Sequence, residues 1–95
     1  MRFEWDQEKN EINYKKHGVN FEEAETVFED ERAITIYDAS HSNDEDRFKI
    51  IGISSRLREI IVCYCYRDDD DITRIISARR ATKNEAVLYE RGFSS

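Results

Sequence analysis

Residues 74–89 read RIISARRATKNEAVLY, and the pattern in this stretch decides the fold. An apolar strand pattern runs directly into Thr82 and Glu85, which have the spacing of a helix capping box. The sequence therefore predicts a strand that is followed at once by a C-terminal helix ending at Gly92. The stretch also concentrates three arginines, a lysine and a tyrosine in an acidic chain, which raises the question of which anion they bind.

The residues before this stretch show two further strand patterns, and together the three predict an antiparallel meander whose middle strand is covered on both faces. Two-residue alternation places Cys63, Cys65 and Arg67 on one face of the middle strand. On the last strand it places Arg74 and Arg79 on opposite faces. The three patterns are separated by polar turns and cover residues 47–54, 57–67 and 72–79.

The N-terminal half carries helix signals. Asp6 is a good N-cap for the segment QEKNEINYKKH, which ends at Gly18 and has Ile12 and Tyr14 as its apolar anchors. Asn20 opens a second helix, whose apolar residues recur at helical spacing. Short strands are predicted around Phe3 to Trp5 and over Ala33 to Tyr37. The buried face of the second helix is expected to comprise Phe21, Ala24, Val27 and Phe28.

These elements predict an α+β protein with an antiparallel sheet of about four strands, two N-terminal helices and one C-terminal helix. The length and an apolar content of 39% favour one folded domain over residues 1–95. No segment has the apolar length of a membrane span or a signal peptide, so a cytoplasmic protein is predicted. Cys63 and Cys65 are expected to be buried reduced thiols, and no cofactor is predicted.

Charge is divided unevenly along the chain. The net charge is −6, but residues 1–46 hold 14 acidic and 5 basic side chains, whereas residues 47–95 hold 7 acidic and 10 basic ones. Four of the acids in the second half form the single run Asp68 to Asp71. One side of the protein is therefore predicted to face a polyanion, and the other side to be acidic.

One set of side chains could serve chemistry on phosphate. It comprises Lys9, His17, Arg47, Arg67, Arg74 and Arg79. In the simpler interpretation, each arginine forms a surface ion pair with Glu45, Glu59, Glu85 or the aspartate run. In the alternative, the arginines act jointly, because guanidinium groups bind phosphate in bidentate fashion and stay charged.

If the substrate is RNA, cleavage needs no metal, because the 2′-hydroxyl can attack its own phosphodiester. His17 is then the candidate proton carrier, although it fits a helix C-terminal position equally well. Tyr89 is a candidate for base stacking or for core packing. Asp38, His41 and Asp44 could also form a metal site, but polar turn residues explain the composition of that loop without one.

The sequence resembles a known family, the BrnT toxins. The resemblance begins with Phe3, Trp5, Asp6, Lys9, Asn13, Lys16–Val19, Phe21, Ala24, Val27 and Phe28. It continues in order through Asp46, Arg47, Gly52, Tyr64, Arg67, Arg74–Arg79, Ala81, Glu85 and Tyr89. The Lys-His-Gly and Arg-Ile-Ile-Ser-Ala-Arg motifs are specific, and the similarity covers almost the whole chain.

The resemblance implies a RelE/ParE-like fold and a ribonuclease toxin of a type II toxin–antitoxin system, with metal-independent RNA cleavage that inhibits translation. It also implies a BrnA-like ribbon-helix-helix antitoxin through which the complex binds operator DNA, as a toxin–antitoxin heterotetramer, or else a free toxin homodimer. Arg67 and Arg79 would stabilise the transition state, with His17 as proton carrier. The residues expected to contact RNA are Lys9, Arg47, Arg74 and Tyr89.

The sequence departs from the family at two turns, Asp68 to Asp71 and Ser54 to Leu57, where a glycine is expected. Four carboxylates beside Arg67 would oppose phosphate binding there. A second hypothesis is therefore a partner-binding or regulatory module without catalysis, whose acidic half docks a basic segment.

Overall fold

The computed structural model describes residues 1–92, which form five strands and three α-helices. In chain order these are β1 (Arg2–Glu4), α1 (Gln7–His17), α2 (Phe21–Thr26), β2 (Ile34–Tyr37), β3 (Arg47–Ile53), β4 (Glu59–Arg67), β5 (Ile72–Arg80) and α3 (Lys83–Arg91). Single 3-10 turns follow α2 and β2. None of these helices has the length and apolar character that crossing a membrane requires.

The strands form one sheet in the order β1-β5-β4-β3-β2. The predicted meander of β3, β4 and β5 is confirmed, and β2 extends it in antiparallel fashion. The sheet is nevertheless mixed and has five strands rather than about four, because β1 pairs with β5 in parallel. β1 lies at the start of the chain and β5 near its end. The alternation of residues within a strand does not show which distant strand it pairs with.

The predicted boundaries of α1 and α3 are confirmed. The second helix begins as predicted but ends at Thr26, so Val27 and the partly buried Phe28 of its predicted buried face lie in the 3-10 turn that follows. The buried face of α1 is not the predicted one. Ile12 and Tyr14 are more than half exposed, whereas Asn10 and Asn13 are buried. The side-chain Nδ2 of Asn13 donates to the carbonyls of Val19 and Ala78 at 2.8 and 2.7 Å, and its Oδ1 accepts from the Ala78 amide at 3.2 Å. The buried side-chain amide of Asn13 therefore forms hydrogen bonds with the edge of β5, past the residues that pair with β1. Hydrogen bonds as well as apolar packing hold α1 in place.

The main core lies on one face of the sheet, beneath α2. Phe21 and Val27 are fully buried there, and Trp5 packs edge-on against Phe21 with ring centroids 6.1 Å apart. A second, smaller core lies on the opposite face, where α3 covers Ile51 and Ile61. Since α3 is short, it leaves the rest of that face to polar side chains.

A β-bulge in β5 determines what that second face presents. Cys63 pairs with Ser77, but the next residue of β4, Tyr64, pairs with Ile75, so Ile76 is inserted without a partner. The extra residue reverses the alternation once along the strand. The prediction that Arg74 and Arg79 lie on opposite faces is therefore wrong: they share the face that carries α3.

Candidate functional site

A polar cleft of about 220 Å³ opens on the α3 face of the sheet. Its wall is formed by the loop after β2, residues 38–46, and its floor by β3, β4 and β5. The lining residues are Asp38, His41, Arg47, Lys49, Cys63, Ile76, Ser77 and Arg79. Three cations thus meet in one concave site: Arg47 and Lys49 come from β3, and Arg79 comes from the distant β5.

The strand register explains why these cations converge. Lys49 lies opposite Cys63, which in turn lies opposite Ser77, so the three side chains share a face. Arg47 lies opposite Cys65, and Cys65 opposite Arg74. We call five basic side chains that β3, β4 and β5 place on this face the cationic face; they are Arg47, Lys49, Arg67, Arg74 and Arg79.

Arg79 is held by the helix that follows it. Its Nη1 and Nη2 donate to the two carboxylate oxygens of Glu85 at 2.7 and 2.9 Å. Glu85 also accepts from the Thr82 amide at 2.8 Å, which completes the predicted capping box. These bonds, that from Arg79 foremost, lower the pKa of Glu85 to about 2. The capped helix terminus therefore fixes the direction in which Arg79 points.

Glu45 and Glu4 hold the other arginines. Arg67 forms a close ion pair with Glu45, whose other oxygen lies 3.5 Å from Arg47 Nε. Arg74 donates to Glu4 at 2.6 Å. The side chain of Arg67 is 40% exposed and that of Arg74 31%, and ion pairs as exposed as these contribute little to stability. The predicted ion pairs with Glu45 and Glu85 are therefore present, and they are weak enough for a phosphate to replace them.

The loop of residues 38–46 contributes a paired histidine to the cleft. His41 Nδ1 lies 3.0 Å from Oδ2 of Asp38, whose side chain is only 7% exposed, whereas that of His41 is 62% exposed. Burial raises the pKa of Asp38, but hydrogen bonds with His41 and Ser40 and the charge of Lys49 outweigh it, so the pKa lies below its usual value. Asp38 is thus a carboxylate that orients an exposed imidazole.

Three of the predicted site residues lie elsewhere. His17 ends α1 beside Gly18, whose carbonyl accepts from Arg58 at 3.1 Å, and it does not line the cleft. Lys9 is exposed in the first turns of the same helix, which packs on the α2 side of β5. Tyr89 is 5% exposed, packs in the second core and donates to Asp30 at 2.6 Å. In this position it supports α3.

Both cysteines are free thiols, on the predicted shared face. Cys65 is buried, and burial raises the pKa of its thiol. Cys63 is half-buried in the cleft floor. Within residues 1–92, no three His, Cys, Asp or Glu side chains are grouped as a metal site.

The aspartate run forms the hairpin turn between β4 and β5. Asp68, Asp69 and Asp70 adopt positive φ values of 50°, 54° and 73°, a conformation for which aspartate is better suited than most non-glycine residues. The carboxylate that pairs with Arg67 comes from Glu45 instead. The departure from the expected glycine is thus accommodated by the backbone, without a direct pair between the run and Arg67.

The fold and the cleft together define a class: a small α+β protein with a cation-lined cleft on one sheet face. A sequence model for the family described as "Ribonuclease toxin, BrnT, of type II toxin-antitoxin system" matches residues 5–85. The chain belongs to this BrnT family, so the predicted family is confirmed and an antitoxin is implied as its partner.

A solved structure supports the same conclusion. The chain is similar to the Brucella abortus ribonuclease toxin BrnT, whose crystal structure superposes with a TM-score of 0.66 at 25% sequence identity. The similarity covers 87% of this chain and 99% of that one, and it confirms the α+β fold class. A comparison with curated protein sequences finds no match.

Proposed function

We propose that this protein is a metal-independent endoribonuclease that cleaves RNA in the cleft on the α3 face and thereby inhibits translation. The observation that supports this most directly is the convergence of Arg47, Lys49 and Arg79 on one concave site, in a chain whose net charge is −6. Partly exposed ion pairs with Glu45, Asp38 and Glu85 hold these cations, and such pairs are weak enough for an anionic substrate to replace them.

The reaction follows from what such a site can supply. The 2′-hydroxyl of RNA attacks the adjacent phosphorus, and negative charge accumulates on the phosphate oxygens in the transition state. Donors already aimed at that charge stabilise it, and the bond to Glu85 keeps Arg79 in position before RNA arrives. Arg79 is therefore the first candidate for transition-state stabilisation.

The remaining cations extend the site along the sheet. Arg67 and Arg74 lie on the same face as Arg79 but do not line the cleft, so they suit the neighbouring phosphates of the strand. Arg47 lies between the two groups and lines the cleft. We assign Arg79 and Arg47 to the reacting phosphate, with Lys49 beside them, and Arg67 and Arg74 to the RNA backbone.

The carboxylates that hold the arginines must give way to phosphate. Each pair contributes little in the solvent-exposed state, whereas a bidentate contact with phosphate is a strong, charge-assisted one. Glu45 and Glu4 therefore keep Arg67 and Arg74 extended along the face until RNA replaces them. This exchange allows an overall acidic protein to bind RNA.

The test is cleavage of a labelled RNA by purified protein in EDTA. We expect cleavage by the parent and a loss on the order of a hundredfold for Arg79→Ala, since one transition-state donor is removed. Arg79→Lys keeps the charge but not the bidentate fork, so its rate should lie between the two. Products should end in a 2′,3′-cyclic phosphate and a 5′-hydroxyl.

Arg56→Ala is the matched control, because Arg56 is an exposed arginine in the turn between β3 and β4. Its rate should equal that of the parent. Absence of cleavage by the parent at any enzyme concentration would instead favour the non-catalytic partner-binding module. Equal rates for Arg79→Ala and Arg56→Ala would remove Arg79 from the site.

We further propose that a BrnA-like ribbon-helix-helix antitoxin neutralises the toxin, and that operator DNA is bound only through the complex. The cationic face offers an acidic antitoxin segment the contacts that it offers RNA. Induced expression should arrest growth and degrade RNA, and co-expression of the neighbouring antitoxin gene should reverse both effects. Light scattering of each purified species would distinguish a homodimer from a heterotetramer.

A further inference from the structure

The wall of the cleft holds a histidine whose two ring nitrogens are in different environments. Nδ1 of His41 is bonded to the buried carboxylate of Asp38, at 3.0 Å to one oxygen and 3.2 Å to the other. The imidazole as a whole is exposed beside Arg47 and Arg79. A carboxylate on one nitrogen fixes the tautomer, because Nδ1 must carry the proton that is shared with it.

We propose that His41 is the general base of the ribonuclease reaction and that Asp38 is its positioning residue. This inference rests on the proposed function, because it needs RNA in the cleft. With its proton on Nδ1, neutral His41 presents the lone pair of Nε2 to the substrate. This arrangement is suited to accepting a proton from a hydroxyl.

The step balances without any co-reactant. Nε2 of His41 takes the proton of the 2′-hydroxyl while the oxygen forms a bond to phosphorus. The bond from phosphorus to the 5′-oxygen breaks, and a water protonates the leaving oxygen. The hydroxide that remains takes the proton back from the imidazolium, so the enzyme is regenerated and the products are a cyclic phosphate and a 5′-hydroxyl.

The loop that carries His41 is built to hold it. Ser40 Oγ donates to Asp38 at 3.0 Å, and Ser42 Oγ donates to the Asp38 carbonyl at 2.6 Å. Ser42 Oγ also accepts from the Arg47 amide at 2.9 Å, which ties the loop to the first residue of β3. The position of the imidazole is therefore coupled to that of Arg47.

Charged groups face His41 from both sides of the loop. Asp38, Lys49 and Arg79 line the cleft with it, and a second depression on the other side of the loop brings in Asp44, Glu45 and Arg47. The carboxylate of Asp38 is the group in direct contact.

The chain contains two histidines, which provides a matched comparison. His41→Gln should lose at least about a hundredfold in cleavage rate in EDTA, the usual minimum for a missing general base. His17→Gln should cleave at the parent rate, because His17 lies outside the cleft. His41→Ala should recover activity when free imidazole is added, which a merely structural role would not produce.

Asp38→Asn tests the positioning role and keeps the size of the side chain. We expect roughly a tenfold loss in kcat with little change in KM, since a misplaced base affects the chemical step rather than RNA binding. Circular dichroism and binding of 2′-O-methyl RNA show whether each variant is folded and retains its RNA contacts. Those two measurements keep a folding defect apart from a catalytic one.

The outcomes separate this inference from the function on which it rests. If the parent does not cleave RNA, the proposed function fails. If the parent cleaves and Arg79→Ala does not, while folded His41→Gln keeps the parent rate, only the role of His41 is overturned. Loss of activity in His17→Gln with retention in His41→Gln would return the role of proton carrier to His17.

Discussion

Glu85 serves two structures at once: its carboxylate caps α3 and holds Arg79. Arg79 is the largest cause of the low pKa of Glu85, about 2. A carboxyl with a depressed pKa stabilises the fold at pH values above its unfolded-state pKa. That stabilisation is lost as pH falls through the folded-state value.

Glu85→Gln is therefore expected to lower the free energy of unfolding at pH 7, while the amide keeps the capping bond to Thr82. Arg79 is 38% exposed, so solvent screening reduces the effect, and we expect about 1 kcal/mol. The difference from the parent should be constant above roughly pH 5.5 and shrink towards zero between about pH 4.5 and 2. Urea unfolding over this range measures it.

Glu90→Gln is the control for this measurement, because Glu90 is an exposed carboxylate on the same helix. It should unfold like the parent at every pH. A Glu85→Gln variant as stable as the parent at pH 7, or one whose deficit persists unchanged at pH 2, would show that the pair with Arg79 contributes nothing measurable.

At the scale of elements, local signals predicted the helices, whereas the site depends on irregular segments. Asp6, Asn20 and Thr82 cap the three helices as their spacing indicated. The bulge at Ile76 has no such signal, because nothing in RIISAR distinguishes an inserted residue from regular alternation. The sequence of residues 38–46 predicts only a polar turn. That this loop forms the wall of the cleft follows from how it folds back over the sheet.

The turn between β3 and β4 carries a strained residue. Leu57 has a φ of 60°, although its side chain is 84% exposed and has little packing to lose. Leu57→Gly should raise the free energy of unfolding by up to about 1 kcal/mol, since glycine adopts positive φ without the Cβ penalty, which exceeds its extra entropy in the unfolded chain. Thermal and urea unfolding measure this gain.

Leu57→Ala provides the matched comparison, because alanine removes the same side chain but keeps the Cβ that causes the strain. It should leave stability unchanged to within about 0.5 kcal/mol. Equal stabilisation by alanine and glycine would assign the effect to the exposed leucine rather than to the backbone.

At the scale of the whole molecule, the sequence identified the cations but not their arrangement. Arg47, Arg67, Arg74 and Arg79 were all candidates, and the structure places all four on one face. Their partners could not be assigned in advance, because Arg74 bonds to Glu4 across 70 residues. The sequence did not predict His41 as the base, because a long-range contact places it there. His41 pairs with Asp38 locally, but only the packing of the loop against the sheet brings His41 beside Arg79.

The uneven charge along the chain becomes an uneven surface in the fold. Residues 47–95 supply all five members of the cationic face, and residues 1–46 supply three of the carboxylates that contact it: Glu4, Asp38 and Glu45. The acidic half therefore does not simply oppose RNA. Its carboxylates pair with the cations that we assign to phosphate contacts.

RNA binding should consequently depend on salt despite the net charge of −6. Each phosphate neutralised on single-stranded RNA contributes about −0.7 to the slope of log K against log salt, so five cations predict a slope no steeper than about −3.5. We expect Arg74→Ala to reduce the slope by about 0.7 and Arg56→Ala to leave it unchanged. Glu45→Gln should bind more tightly at low salt, because Arg67 and Arg47 lose a competing carboxylate. Titrations with 2′-O-methyl RNA measure binding without cleavage, and an equal effect of Arg56→Ala and Arg74→Ala would place the RNA on a different surface.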